Sequence, residues 1–270
     1  MRAGVFRKAR RGAPAGFFAA EAAGLRWLAV DGGPRVAQVI DVGPDYLDLE
    51  EITPCRPTPE AAYAFGQALA RLHRVPAPDG WGALPVEVTA GFFGPLDDPL
   101  PMIDGSFPSW PSFYAEARLR VIVEQGRKRG VFTKDDARQM EAVCLQLPSS
   151  IGEAGGEAPA RQHGDLWSGN LMWTQNRGGT VEAVLIDPAA HVGHREDDLA
   201  RLAMFGQEFF AEIVAGYEAT YPLAAGWRDR LSLHYLYPMA AHAVLFGGHY
   251  IHEARRLMAR WSTDDARTSI

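Results

Sequence analysis

The sequence predicts an α+β protein of two lobes, a small β-rich lobe followed by a larger, mainly helical one. Three observations lead there. Strand-like runs crowd into the first fifty or so residues around a single amphipathic helix, and Pro54, Pro57 and Pro59 then mark a linker. Beyond the linker the apolar periodicity is helical almost throughout, interrupted by one strand–turn–strand unit near 171–186. The expected boundary falls between 53 and 54, giving lobes of 1–53 and 54–270.

The elements follow in order. Val5-Phe6-Arg7-Lys8 reads as the end of a strand, and 10–16 as a turn-rich connection. Phe17, Phe18, Leu25 and Leu28 share one face of a helix over 17–28. Two short strands, 36–42 and 46–52, flank Gly43-Pro44-Asp45. Thr58 before Pro59 is a start signal for a helix reaching about Arg74. The Pro- and Gly-rich stretch 91–109 reads as a long loop. Trp110-Pro111 opens a helix that fades at 126–130, and Thr133 with Asp136 caps another running to Leu147. After a polar loop over 149–159, strands on either side of a turn at 175–179 form a hairpin. The stretches 195–205, 208–221 and 227–261 are helical, the last broken near Pro238 or Gly247-Gly248, and the tail after Ser262 is expected to fray.

Bulk properties narrow the function classes. Of the 270 residues 47% are hydrophobic and 22% charged, the balance of a globular protein with an ample core. A net charge of −6 without a lysine-rich tract argues against nucleic acid or an acidic membrane surface as partner. Cys55 and Cys144 lie far apart without a pairing motif, which suits a reducing, cytoplasmic setting. No apolar run approaches membrane-spanning length. Arg10-Arg11 precedes an Ala- and Phe-rich segment, but Glu21 and Arg26 interrupt it, so it reads as folded protein and not as an export signal.

The chemistry concentrates in Arg161-Gln162-His163-Gly164-Asp165-Leu166-Trp167-Ser168-Gly169-Asn170, followed after the hairpin by Val184-Leu185-Ile186-Asp187-Pro188. An Asp, an Asn five residues on, and a second Asp closing an apolar strand is the arrangement kinase-like phosphotransferases place around ATP. Phosphoryl transfer asks the protein mainly for positioning and charge neutralisation. Asp165 is placed to orient the acceptor hydroxyl and take its proton, while Asn170 and Asp187 offer hard oxygen ligands to Mg²⁺. Either Asp alone reads better as an ordinary turn-capping acid; the set within a strand–hairpin context does not.

Taken together these segments resemble the fructosamine/ketosamine-3-kinase family, within the aminoglycoside phosphotransferase-like and protein-kinase-like group. The resemblance spans nearly the whole chain. It rests on Val5-Phe6-Arg7-Lys8, on 21–28, on Tyr46-Leu47-Asp48-Leu49-Glu50, on Leu69-Ala70-Arg71-Leu72-His73 and on Trp110-Pro111-Ser112-Phe113-Tyr114. It continues through Phe93-Gly94-Pro95-Leu96, 163–170, Asp187-Pro188-Ala189, Gly193-His194-Arg195-Glu196 and Leu245-Phe246-Gly247-Gly248. Leu166-Trp167-Ser168-Gly169 and the Gly-His-x-Glu phrase are its specific parts. It implies a two-lobed protein-kinase-like fold, with Asp165 as catalytic base and Asn170 and Asp187 as magnesium ligands. Lys8 would reach the α- and β-phosphates of ATP, paired by Glu21, and the backbone of Glu50, Glu51 and Ile52 would bind adenine. Only Lys8, Lys128 and Lys134 are lysines in an arginine-rich chain, which sharpens the assignment of Lys8.

Other positions carry two readings. His163 is expected to brace the catalytic loop, and Asp198 to accept hydrogen bonds from its backbone. Trp167 packs against a sugar or wedges the loop. His191, His194 and Glu196 line the acceptor site or serve the structure. His242 and His249, seven apart on one helical face, read as helix packing rather than a metal site.

Two departures from the family stand out. A Gly-rich strand pair over the phosphates needs roughly 15–20 residues at ordinary strand lengths, and only seven precede Lys8. The expectation is therefore that this cover is missing and that the 270-residue form binds ATP weakly, Met1 being an internal methionine of a longer chain or the chain a decayed paralogue. Asp104 stands where similar proteins carry Asn, which bears on substrate preference.

The expected activity is ATP-dependent phosphorylation of the 3-hydroxyl of a ketoamine, free or protein-bound, leading to deglycation. The alternatives are an aminoglycoside or amino-alcohol phosphotransferase, for which an acidic acceptor site would serve equally, and a non-catalytic nucleotide-binding paralogue.

Overall fold

The computed structural model describes residues 4–77 and 79–263, and the expected fraying of the tail lies, from 264 onward, outside them. β1 (Val5–Ala9), β3 (Val39–Gly43) and β4 (Tyr46–Glu50) form an antiparallel sheet in the order β1-β4-β3. Helix α1 (Phe17–Leu28) lies against it, because Phe17, Phe18, Ala22 and Leu25 form a buried stripe over Leu47, Leu49 and Val184. Glu21 sits on that same stripe, a carboxylate in an apolar row that must be paired.

The expected strand over 36–42 is split. β2 (Arg35–Val36) leaves the sheet and pairs in parallel with β9 (Val181–Leu185), Arg35 opposite Val184 and Val36 opposite Leu185. β9 returns antiparallel to β8 (Leu171–Gln175), completing the hairpin expected there, with Asn176 Oδ1 accepting from Gly178 and Thr180 in its turn. One strand-length pattern thus serves two sheets, which periodicity alone does not reveal.

The helical lobe begins with α2 (Pro59–His73), capped as expected by Thr58, whose Oγ1 accepts the Ala61 N–H at 3.2 Å. The long loop 91–109 contains an unexpected hairpin of β5 (Gly91–Phe93) and β6 (Leu100–Met102), strands too short for a pattern to register. α3 (Trp110–Phe113) continues through a π-helical turn, Tyr114–Leu119, into α4 (Arg120–Lys128). α5 (Lys134–Ile151) starts on the predicted Thr133–Asp136 capping box and runs past Leu147, taking Pro148 into its last turn. β7 (Ala160–Gln162) and β10 (His191–Gly193) pair antiparallel on either side of the catalytic hairpin.

α6 (Arg195–Met204), α7 (Phe210–Thr220), α8 (Trp227–His234), α9 (Leu236–Phe246) and α10 (His249–Trp261) complete the lobe. The expected helix over 227–261 breaks at Tyr235 and at Gly247-Gly248. Pro238 causes no break, because it lies in the first turn of α9, where a missing N–H forfeits no helical bond. His242 and His249 consequently fall on different helices, so the shared helical face expected of them does not exist.

α2 and α7 approach unusually closely through Gly66 and Gly216: a Cβ on Gly66 would stand 1.9 Å from the Ile213 carbonyl oxygen, and one on Gly216 2.0 Å from that of Tyr63. Their core joins Phe65, Leu69 and Leu72 to Leu166, Leu171 and Leu185, so the catalytic loop is anchored in the same apolar mass as the helix pair.

Candidate active site

β7 brings the chain to His163, the loop 163–170 crosses the end of the sheet pair, and β8 carries it away. Asp198 on α6 gathers this loop. Its Oδ2 accepts the His163 N–H at 2.8 Å and its Oδ1 the Gly164 N–H at 2.9 Å, with His73 Nε2 3.3 Å from the same carboxylate. Burial alone would raise the Asp198 pKa, but these donors, His73 foremost, hold it down to about 2. Gly164 has a φ of 78°, and a Cβ there would meet the Ala189 oxygen at 2.1 Å, so only glycine fits.

His163 braces the loop as expected. Its Nε2 lies 2.8 Å from the Ile186 carbonyl, which can only accept, so Nε2 carries the hydrogen and Nδ1 accepts the Asp165 N–H at 3.2 Å. Burial pushes its pKa down, consistent with a neutral ring.

Asn170 Nδ2 donates to the Asp165 carbonyl at 2.8 Å and to Asp165 Oδ2 at 3.0 Å, leaving the amide Oδ1 as its ligand atom. The Ile186 N–H donates to the Asn170 carbonyl at 3.2 Å, which returns Asp187 beside Asn170. Asp187 has a φ of 52°, a left-handed conformation uncommon outside glycine but open to Asp. Lys8 Nζ lies 3.3 Å from Asp187 Oδ1 and 2.8 Å from Glu21 Oε2. Burial opposes the Lys8 charge, yet Glu21 and Asp187 together raise its pKa above the ordinary value. Glu21 is pushed up to about 7, by burial first and against the pull of Lys8, and its Oε1 has no partner. Burial likewise raises the Asp165 pKa, with Arg201 opposing from 3.6 Å.

Lys8, Glu21, Asp165, Trp167, Asn170 and Asp187 all line one cavity of about 640 Å³. Phe92, Phe93, Leu96, Met102, Phe205, His242, Leu245, Phe246 and Tyr250 also line it. Among the described residues Glu21, Asp165 and Asp187 are the carboxylates that line it, so the rest of its wall is mainly aromatic and apolar rather than acidic. Trp167, 40% exposed, lies edge-on to Phe205 with ring centroids 6.0 Å apart.

The remaining candidates lie elsewhere. His191 is buried in β10, its Nδ1 2.9 Å from the Ala189 carbonyl and its pKa driven to about 3, by burial first and then by Arg118. His194 and Glu196 are buried at the start of α6, away from the cavity wall. His194 Nε2 donates to the Ala154 carbonyl and Nδ1 accepts the Glu196 N–H, while Glu196 pairs with Arg230 at 2.7 Å and His234 at 3.1 Å. His194, Glu196 and His234 offer ligand atoms within 4.8 Å of one another, but both nitrogens of each ring are engaged, which makes the group an ion-pair network and leaves no lone pair for a metal.

Glu50, Glu51 and Ile52 do not line the cavity. The Glu50 N–H donates to Gln38 and the Glu51 N–H to Gly4, and among the described residues only Ile52 of the three keeps an unpartnered amide. Asp104 accepts the Leu84 N–H at 3.0 Å, bracing a loop. Sequence reasoning missed Arg201 beside Asp165, although its place three residues after Asp198 on α6 was a readable signal. It also set His242 aside, yet that side chain lines the cavity.

Two lobes with an Asp-bearing loop, an Asn–Asp pair and a buried Lys–Glu pair on one cavity fit a phosphotransferase of the protein-kinase-like class. An ADP-bound aminoglycoside phosphotransferase, APH(2″)-Ib, shares the fold at 14% identity and a TM-score of 0.54, over 83% of this chain and 75% of its own. The chain belongs to the fructosamine kinase family, whose pattern matches residues 2–263. It is 34% identical over 247 residues to the probable ketoamine kinase of Synechocystis, covering 89% of this chain and 77% of that one. The crystal structure of a Thermobifida fusca YX-ER1 protein assigned as a fructosamine-3-kinase superposes with a TM-score of 0.82 at 40% identity, over 94% of this chain and 85% of the other.

Proposed function

We propose that this protein transfers the γ-phosphoryl group of ATP to the 3-hydroxyl of a ketoamine, free or protein-bound, so that the phosphorylated adduct goes on to shed its sugar. The observation that carries this reading is the convergence of Lys8, Asp165, Asn170 and Asp187 on one cavity, in a chain of the fructosamine kinase family. The acceptor oxygen forms its bond to the γ-phosphorus as the bond to the β,γ-bridging oxygen breaks, the electron pair leaving with ADP. Asp165 takes the hydroxyl proton; a carboxylate whose pKa burial has raised is the better proton acceptor.

The Asn170 amide oxygen and the Asp187 carboxylate are hard donors of the kind Mg²⁺ takes, and both face the cavity. When bound there, the ion would neutralise phosphate charge. Lys8, held between Glu21 and Asp187, adds a fixed positive charge for the remaining phosphates. In this reading residues up to 53 carry the nucleotide side and 54–270 the catalytic and acceptor side. The free thiols of Cys55 and Cys144 fit work in the cytoplasm.

The test is ADP release with MgATP and a fructosyl-amine, with phosphorus NMR locating the phosphate. ADP formation independent of the ketoamine, or stimulated equally by an aminoglycoside, would sink the reading.

A further inference from the structure

Arg201 is 6% exposed, and among the described residues its side chain donates no hydrogen bond. Its one ion pair is the 3.6 Å approach of Nη1 to Asp165 Oδ1, and its guanidinium lies 5.1 Å from the centroid of Phe93, a ring on the cavity wall. The nearby acid Asp197 is bonded to His234 at 2.5 Å, and the neighbouring Arg118, itself buried with an unpartnered Nη2, adds a second positive charge instead of relief. A buried guanidinium with no hydrogen bond and a single ion pair at 3.6 Å gains little in return for its own desolvation. Stability therefore does not account for Arg201.

Its placement does. Asp198 and Arg201 stand three apart on α6 and face the same loop, the first holding the backbone at His163 and Gly164, the second facing the Asp165 side chain. Asn170 holds Oδ2 of that carboxylate and Arg201 faces Oδ1. We infer that Arg201 is a positioning residue for phosphoryl transfer: braced against Phe93, it fixes the Asp165 carboxylate in the orientation from which the acceptor proton is taken. This rests on the phosphotransferase reading above and assigns Arg201 no contact with the substrates.

The experiment compares the full chain with Arg201→Met and Arg201→Lys, using MgATP and fructosyl-propylamine, and measures kcat, both KM values and the thermal midpoint. In Arg201→Met, kcat is expected to fall about tenfold with both KM values within about twofold, as for an interaction felt only in the transition state. The midpoint stays level, because the partly exposed Asp165 carboxylate keeps Asn170 as its donor, and Arg201→Lys recovers part of kcat. The inference is overturned by wild-type kcat in Arg201→Met, by a loss of kcat that accompanies a lowered midpoint, or by a lysine variant no better than methionine. If the unmodified protein releases no ADP with the ketoamine, the functional reading itself has failed, and this inference goes with it.

Discussion

Replacing His234 with leucine tests how the base of the catalytic lobe is held. The ring is fully buried between two acids of α6, Nδ1 2.5 Å from Asp197 and Nε2 3.1 Å from Glu196, with Arg230 completing the group at 2.7 Å from Glu196. Burial alone would lower its pKa, but Asp197 and Glu196 outweigh it and raise the value to about 9. From an unfolded value of 6.5 that difference corresponds to about 3 kcal/mol. Because the folded chain holds the proton more tightly, this stability is fully present below pH 6.5 and is lost as pH rises through about 9. Glu21 works in a lower window: its folded pKa of about 7 makes stability fall between its unfolded value of 4.5 and about 7. Urea titrations between pH 7.5 and 9.5 therefore isolate His234. Wild type should lose most of those ~3 kcal/mol across that range. In His234→Leu, Asp197 is left without its partner, costing about 3–5 kcal/mol near neutrality, and the alkaline slope disappears. A wild-type stability that stays flat to pH 9.5, or a leucine variant within about 1 kcal/mol of wild type, would refute the reasoning.

Three further outcomes are expected. Asp165→Asn should lower kcat by about 10²–10⁴-fold while the thermal shift with MgATP persists, as removal of a proton acceptor predicts; loss of both together would mean a collapsed site. Lys8→Met should raise the KM for ATP about tenfold, and because it strands Glu21 it should destabilise the protein more at pH 8 than at pH 6, where Glu21 takes up a proton; equal losses at the two pH values would contradict the pairing. Gly66→Ala should remove about 3 kcal/mol in urea unfolding, because the added Cβ meets backbone oxygen at 1.9 Å and the α2–α7 pair must separate; a neutral substitution would show that the helices have room to spare.

What was legible in the sequence had a strong local cause. The helix over 17–28 announced itself by its apolar stripe, α2 by Thr58-Pro59, α5 by its capping box, and the catalytic hairpin by two strands around an Asn-Gly-rich turn. The illegible parts depend on distant partners. The strands of β5, β6, β7 and β10 have three residues each, too few for an alternation to declare itself, and exist because a neighbour pairs with them. Nothing within 36–42 says that its first residue belongs to a different sheet from the rest. In the site, Asp165, Asn170 and Asp187 meet on one cavity as their spacing suggested and Lys8 joins them as the family resemblance implied, whereas His194 and Glu196 are drawn into an ion-pair network by Arg230 and His234, residues more than thirty positions away. For Arg201 the helical spacing from Asp198 was readable, but its lack of a hydrogen-bond partner among the described residues was not.

The short parallel ladder between β2 and β9 is one of several places where the two lobes are joined, beside the Arg10–Leu96 and Arg161–Trp27 hydrogen bonds. Arg35 reinforces the ladder by clasping Glu50 on one side and Glu182 on the other, at 2.6 and 2.7 Å. Drawing the lobes straight apart would sever that ladder and the Arg35–Glu182 clasp, while Glu50 would travel with Arg35. Lys8 and Asp187 face one another 3.3 Å apart across the same seam, so the ladder and the Arg35–Glu182 pair also limit how far that ammonium and that carboxylate can draw apart.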